Sequence, residues 1–209
     1  MPEERCELPV SLVRSEASFD AGVLKACSVA ATRFDSLEFC DSDFVSVDAS
    51  NCRWNKSRLH SVRLEKCDLA NACWVNATLE QVGWEKCRGT GFQLLDGNCI
   101  EVVFRSCKFD LSAFHGSKFR QCRWENCDLR EANFEGVELS NVVFRDCDLR
   151  AARFPNAKII DLDVRGSHLA GIMIDAQRLR GARIEARQLP DLADVFGLIV
   201  EPLPTDSNR

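Results

Sequence analysis

The chain has 209 residues, of which 45% are hydrophobic and 28% charged, with a net charge of −5, twelve cysteines and no tyrosine. That size and apolar content support one substantial domain with a large core, and the charged content makes disorder not the default reading. No apolar run approaches the length of a membrane span, and Met1-Pro2-Glu3-Glu4-Arg5 lacks the basic start and apolar stretch of a secretion signal. A cytoplasmic protein without a membrane partner is therefore expected.

Residues 1–17 stand outside the pattern that follows and read as an N-terminal cap. From Phe19 onward, stepping by five gives Phe19, Leu24, Val29, Phe34, Phe39, Phe44, and so on to Ile184 and Leu189. This is one unbroken register of 35 positions in which only Gly89 is not apolar, and it holds all four Trp and 11 of the 13 Phe. Two residues before each of these lies a second register of mostly small residues, including eight of the twelve cysteines. The other three positions of each five are mostly polar.

A period of five fits neither a helix nor a simple strand. It fits a chain that turns a corner every five residues, with one large and one small side chain per side pointing inward. Four sides make a coil of twenty residues, and successive coils stack as parallel strands about 4.8 Å apart. Residues 18–189 then form a solenoid of about eight and a half coils, roughly 40 Å long.

Folded this way, Cys27, Cys67, Cys87, Cys107, Cys127 and Cys147 share one corner column, interrupted by Val47. A metal or redox ladder is one reading. A column of small apolar side chains is the stronger one, because there is no Cys-x-x-Cys pair and no His in the column. No metal and no cofactor are expected. His60, His115 and His168 fall on three different sides, and none belongs to a catalytic arrangement, so no enzyme activity and no catalytic residue are expected. Gly83, Gly89, Gly91 and Gly97 cluster in one stretch, which reads as a bend or loosened coil. Phe92 and Leu95 lie there outside the central register. They are either an exposed contact patch or the filling for the gap left by Gly89.

Residues 18–189 carry 24 acidic and 24 basic side chains, so the solenoid itself is neutral. Asp68 lies under Arg88, and Lys108 under Asp128. Local acidic spots remain at Asp48 with Asp68 and at Asp128, Glu131 and Asp148, the candidate partner-binding surface. After Leu189, Pro190 to Phe196 reads as a short helix ended by Gly197, and Leu198-Ile199-Val200 as a short strand. Leu192, Val195, Phe196, Leu198 and Ile199 are more apolar than one cap requires. They suggest a homodimer through a C-terminal element at 190–201, with a monomer cap as the alternative. Residues 202–209 read as a disordered tail.

Runs such as Cys127-Asp128-Leu129-Arg130-Glu131-Ala132-Asn133-Phe134 resemble the A/C-[DN]-[LF]-x-x motif of the pentapeptide-repeat family. The resemblance implies an all-β, right-handed quadrilateral parallel β-helix. Asp161-Leu162-Asp163-Val164-Arg165-Gly166-Ser167-His168-Leu169-Ala170-Gly171, with the terminal Gly197-Leu198-Ile199-Val200, is similar to the ending of the bacterial quinolone-resistance members of that family. That group implies a dimeric, non-catalytic rod that binds DNA gyrase or topoisomerase IV as a mimic of duplex DNA, giving quinolone or toxin protection and binding no nucleic acid directly. Against this stand the neutral solenoid and the absence of inserted loops. The alternative is an interaction scaffold for another protein partner.

Overall fold

The structure, a computed structural model, describes residues 6–200. Residues 1–5 of the expected cap, Glu201, and the expected tail at 202–209 lie outside the described residues. The fold is an all-parallel β-solenoid in which each strand pairs with the strands twenty residues before and after it. Trp54 is aligned with Trp74 and Trp74 with Leu94; Leu59 is aligned with Leu79 and Leu79 with Cys99. The elementary unit is a three-residue strand such as Arg53–Asn55, whose central residue points in while its neighbours point out.

Four sides follow from this unit. The first carries strands at Ser18–Asp20, Glu38–Cys40, Arg58–His60, Thr78–Glu80, Asn98–Ile100 and Lys118–Arg120. The second carries Gly22–Lys25, Asp43–Val45, Arg63–Glu65, Gly83–Glu85, Val103–Arg105 and Arg123–Glu125. The longer strand Glu138–Arg145 runs through both, which joins these sides into one sheet of fifteen strands, the last of them, Lys158–Asp163, pairing with Glu138–Arg145 off the main path. The fourth side is a four-stranded sheet of Arg33–Asp35, Arg53–Asn55, Cys73–Val75 and Gln93–Leu95. The third is held by single bridges from Ser28 through Asp48, Asp68, Arg88, Lys108, Asp128 and Asp148 to His168.

At the corners the chain adopts a left-handed conformation, as at Asn71 (φ 55°), Gln81 (φ 55°) and Lys86 (φ 53°). For a residue other than glycine this costs about 1 kcal/mol or more. The cost is offset because each corner amide bonds to the next coil: Asn71 N–H donates to the Thr90 carbonyl (3.0 Å) and Gln81 N–H to the Ile100 carbonyl (3.0 Å).

Since like positions stack directly, aromatic side chains form columns. Trp54 and Trp74 are parallel to within 4° at 4.6 Å, and Phe134 and Phe154 to within 2° at 4.7 Å. Each such pair adds about 0.5–1.5 kcal/mol to the burial of its members. The thiols of Cys67, Cys87, Cys107, Cys127 and Cys147 are all buried, and each lies within hydrogen-bonding reach of backbone carbonyls, as Cys67 Sγ to the Phe44 carbonyl at 3.3 Å. Hydrogen bonding to the neighbouring thiols and burial push Cys67, Cys107 and Cys147 well up. The column packs as small hydrophobes, and Ser167 continues it, donating to the Phe144 carbonyl at 3.0 Å.

The glycine-rich stretch is not a bend. Pairing passes through it unbroken, with Gly83 aligned to Arg63 and Val103. Phe92 takes the place of a small inward residue, 2% exposed, with its ring 5.5 Å from Trp74 and 5.6 Å from Phe109. Gly89 allows this packing: a Cβ there would come within 2.3 Å of the Phe109 ring. Phe92 therefore belongs to the gap-filling alternative, while Leu95 points outward and is half-buried.

Both ends depart from the repeat. Cys6–Glu7 pairs with the Gly22–Lys25 strand, Leu8 covers Gly22, and Val13 enters the core. At the far end the strands stop at Asp163, after about seven turns. The register still packs inward beyond that point, at Leu169, Ile174, Leu179 and Ile184, while side chains take over the work of a following coil. The Asp175 carboxylate accepts from the Gln177 amide, and Gln188, buried, donates to the Val164 (2.8 Å) and Ser167 (2.7 Å) carbonyls. Leu189, the last register position, is 56% exposed and opens the short helix α1 (Leu189–Leu192), followed by a single turn at Asp194–Phe196 ended by Gly197 in the left-handed region. Leu198–Val200 forms no strand, contrary to the sequence expectation.

Candidate interaction surface

The five acidic candidates lie on the third side and its corner, and the structure supplies most of them with a cation. The two outward residues of a side flank the same inward one, so an Asp followed two residues later by Arg places both on one surface. Arg130 grips Asp128 through Nε (2.8 Å) and Nη2 (2.7 Å), and Arg150 grips Asp148 in the same way (2.8 and 2.6 Å). Both carboxyls are held below the usual range, mainly by these guanidinium bonds. Arg88 pairs with Asp68. Asp48 accepts from the Ser50 amide (3.0 Å) and the Ser28 hydroxyl (3.4 Å), and its pKa falls chiefly through Ser50. Glu131 occupies a left-handed corner (φ 57°) and is exposed. The candidate surface is thus mixed in charge. The repeated Asp-x-Arg spacing in the sequence carried that signal, which pairing by coil alone does not reveal.

A further cluster escaped sequence reasoning. Asp163, 3% exposed, lies between Arg145 Nη2 (3.1 Å) and Arg165 Nη2 (2.7 Å), and its carboxyl is held low mainly by Arg165. The C-terminal candidates separate. Leu192 is buried in its own chain's core and Val195 packs against that core, so neither is offered to a partner. Phe196 (49%), Leu198 (60%) and Ile199 (88%) are exposed, and Val200 joins them.

The histidines occupy three different sides. His60 Nδ1 lies 3.5 Å from Glu80 and His115 Nδ1 3.7 Å from Glu135, both at the surface. Among the described residues, no group of three or more His, Cys, Asp or Glu is placed to hold a metal, and no helix is long and apolar enough to cross a membrane.

A family model for the pentapeptide repeat region matches residues 117–192. No curated protein matches the sequence. Among solved structures, a trypsin-treated form of QnrB1, a plasmid-mediated fluoroquinolone resistance protein, is 18% identical over 88% of this chain and 100% of its own, with a TM-score of 0.38. HetL, a pentapeptide repeat protein involved in heterocyst differentiation regulation from the cyanobacterium Nostoc sp. strain PCC 7120, is 15% identical over 83% of this chain and 92% of its own, with a TM-score of 0.40. Rfr23, from the cyanobacterium Cyanothece 51142, is 11% identical over 78% and 91%, with a TM-score of 0.27. Residues 117–192 thus match the pentapeptide repeat region, and the five-residue period they carry runs back through the structure to Phe19.

Proposed function

We propose that this rod is a non-catalytic binding protein whose flat outer sides dock a protein partner of mixed charge. The observation that carries the reading is the pairing of Asp128 with Arg130 and of Asp148 with Arg150, which turns the most acidic side into alternating charge. Duplex DNA presents unrelieved negative charge, so a DNA mimic of gyrase or topoisomerase IV is the less favoured form of the same idea. Quinolone or toxin protection belongs to that form. Phe196, Leu198 and Ile199 are the exposed apolar residues for contact between C-terminal ends of two copies.

The test is a gyrase supercoiling assay with the full chain titrated in, with and without a fluoroquinolone, beside Arg130→Ala/Arg150→Ala. No effect of either protein on supercoiling or drug sensitivity accords with a mixed-charge partner. Inhibition or drug rescue by the natural chain that strengthens when the arginines are removed would replace this reading with DNA mimicry.

A further inference from the structure

The charge on the first side is ordered along the rod. Its outward columns, read from the N-terminal end, present Asp20, Glu38, Arg58 and Glu80, then the uncharged rung of Asn98 and Ile100. Beyond that rung come Lys118 with Arg120, Glu138 and Lys158, and then, past the last strand, Arg178 in the single turn Ala176–Leu179 with Arg180 at its end. The sign pattern before the rung is minus, minus, plus, minus. After it the pattern is plus, minus, plus, plus, the inverse read outward from the centre.

From this antisymmetry we propose that the first side is a self-complementary surface that binds a second copy of the chain, rods antiparallel, about a two-fold axis through Ile100. Such an axis, lying along the strands, reverses the order of coils but keeps each column on itself. Glu38 then faces Lys158 and Arg58 faces Glu138, all four in the column before the inward residue. Glu80 faces Arg120, both in the column after it, and Asp20 lies opposite the turn that ends at Arg180. Symmetry makes each pair twice. Lys118 meets the hydroxyl of Thr78, and no like charges meet in either column.

The apolar residues agree with the same axis. Ile100 meets its own copy, and Ile160, 69% exposed, faces the half-buried Cys40. Like charges meet only at the corners, where Asp41 faces Asp161 and Asp96 and Glu101 each face their own copy. There Arg183 lies 3.0 Å from Asp161, and Gln81 donates to Glu101 at 3.1 Å. Among the described residues, the guanidiniums of Arg120 and Arg180 have no carboxylate of their own chain within ion-pair distance.

The strip is about 40 Å long and about 12 Å wide by strand spacing and rise, so it buries about 500 Å² per partner. That is below the ~800 Å² of a standard interface. The contact is consequently weak, charge-driven and sensitive to salt. It is separate from any contact of the C-terminal ends.

Sedimentation of the full chain over a concentration series tests it, using Arg120→Glu and Glu80→Arg, both exposed substitutions. The natural chain is expected to dimerise in low salt and to dissociate as salt is raised. Each single reversal places like charges opposite each other twice per dimer and should weaken self-association by about tenfold or more. An equimolar mixture of the two variants should dimerise again, since the first is acidic at both positions and the second basic at both, so opposite charges face each other across the mixed dimer. A natural chain that stays monomeric in low salt overturns the proposal. So does a dimer indifferent to both reversals, or a mixture that does not recover; a dimer lost instead on Phe196→Asp would place the contact at the C-terminal ends.

Discussion

Exchanging the sizes of Gly89 and Phe92 tests the packing logic of the whole repeat. In an ordinary coil the central position is large and the position two residues before the next centre is small; here the two are reversed. Phe92→Ala alone removes a ring packed against Trp74, Trp84 and Phe109, which costs about 3–5 kcal/mol. Gly89→Leu alone drives a Cβ to within 2.3 Å of the Phe109 ring and costs about 1–3 kcal/mol or more. Independent effects would sum to about 4–8 kcal/mol. The double variant restores the ordinary arrangement, so it should recover about 2–3 kcal/mol of that sum. Denaturant unfolding at fixed temperature gives all four corners of the cycle. Additive effects would mean that Phe92 does not occupy the space vacated at Gly89, and the reasoning would fail.

Further expectations concern charge and thiols. Asp163→Asn leaves Arg145 and Arg165 facing each other around a buried position and should cost about 3–5 kcal/mol, whereas Asp128→Asn, at a more exposed pair, should cost about 1 kcal/mol or less; urea melts of the two variants settle the order. Burial pushes the Cys52 thiol up to about 12 and Cys122 to about 11. Their folded values lie above the ordinary thiol value, so the stability they confer is complete below about pH 8.5 and is lost as pH climbs toward those values. The melting midpoint should fall above about pH 9, and Cys52→Ala/Cys122→Ala should flatten that fall. An apolar void at the N-terminal end is lined by Val13, Leu24, Phe44, Ala49 and Trp54. It measures only about 10 Å³, so Ala49→Val, which adds two methyl groups, should overpack it and lower stability by about 1–3 kcal/mol, read by calorimetry.

The five-residue period made the inward set legible because a single geometric rule places every such residue. The same rule put Cys67 to Cys147 in one column and separated the three histidines. Its limits lie where side chains act outside the rule. Nothing in the period says that Gln188 caps the carbonyls of the last coil, or that Leu189, the last register position, is exposed. Leu192 reads as a contact residue from its hydropathy, yet the turn of α1 folds it inward. Leu198 to Val200 has the composition of a strand but no neighbouring strand to pair with. On the surface, reading columns upward finds Arg88 over Asp68 but misses Arg130 beside Asp128, because the latter pair lies along the chain.

The corner geometry has a consequence for how such a chain can change length. Because each corner amide is tied to a carbonyl nineteen residues ahead, as Asn71 is to Thr90, removal of one pentapeptide would rotate everything downstream by a quarter turn. The Cys107–Cys147 column would then stack on the wrong side, and each bridge on the third side would meet a stranger. Removal or duplication of twenty residues leaves every column aligned. Heritable length variation in this rod should therefore come in whole coils, and partial repeats should survive only at the ends.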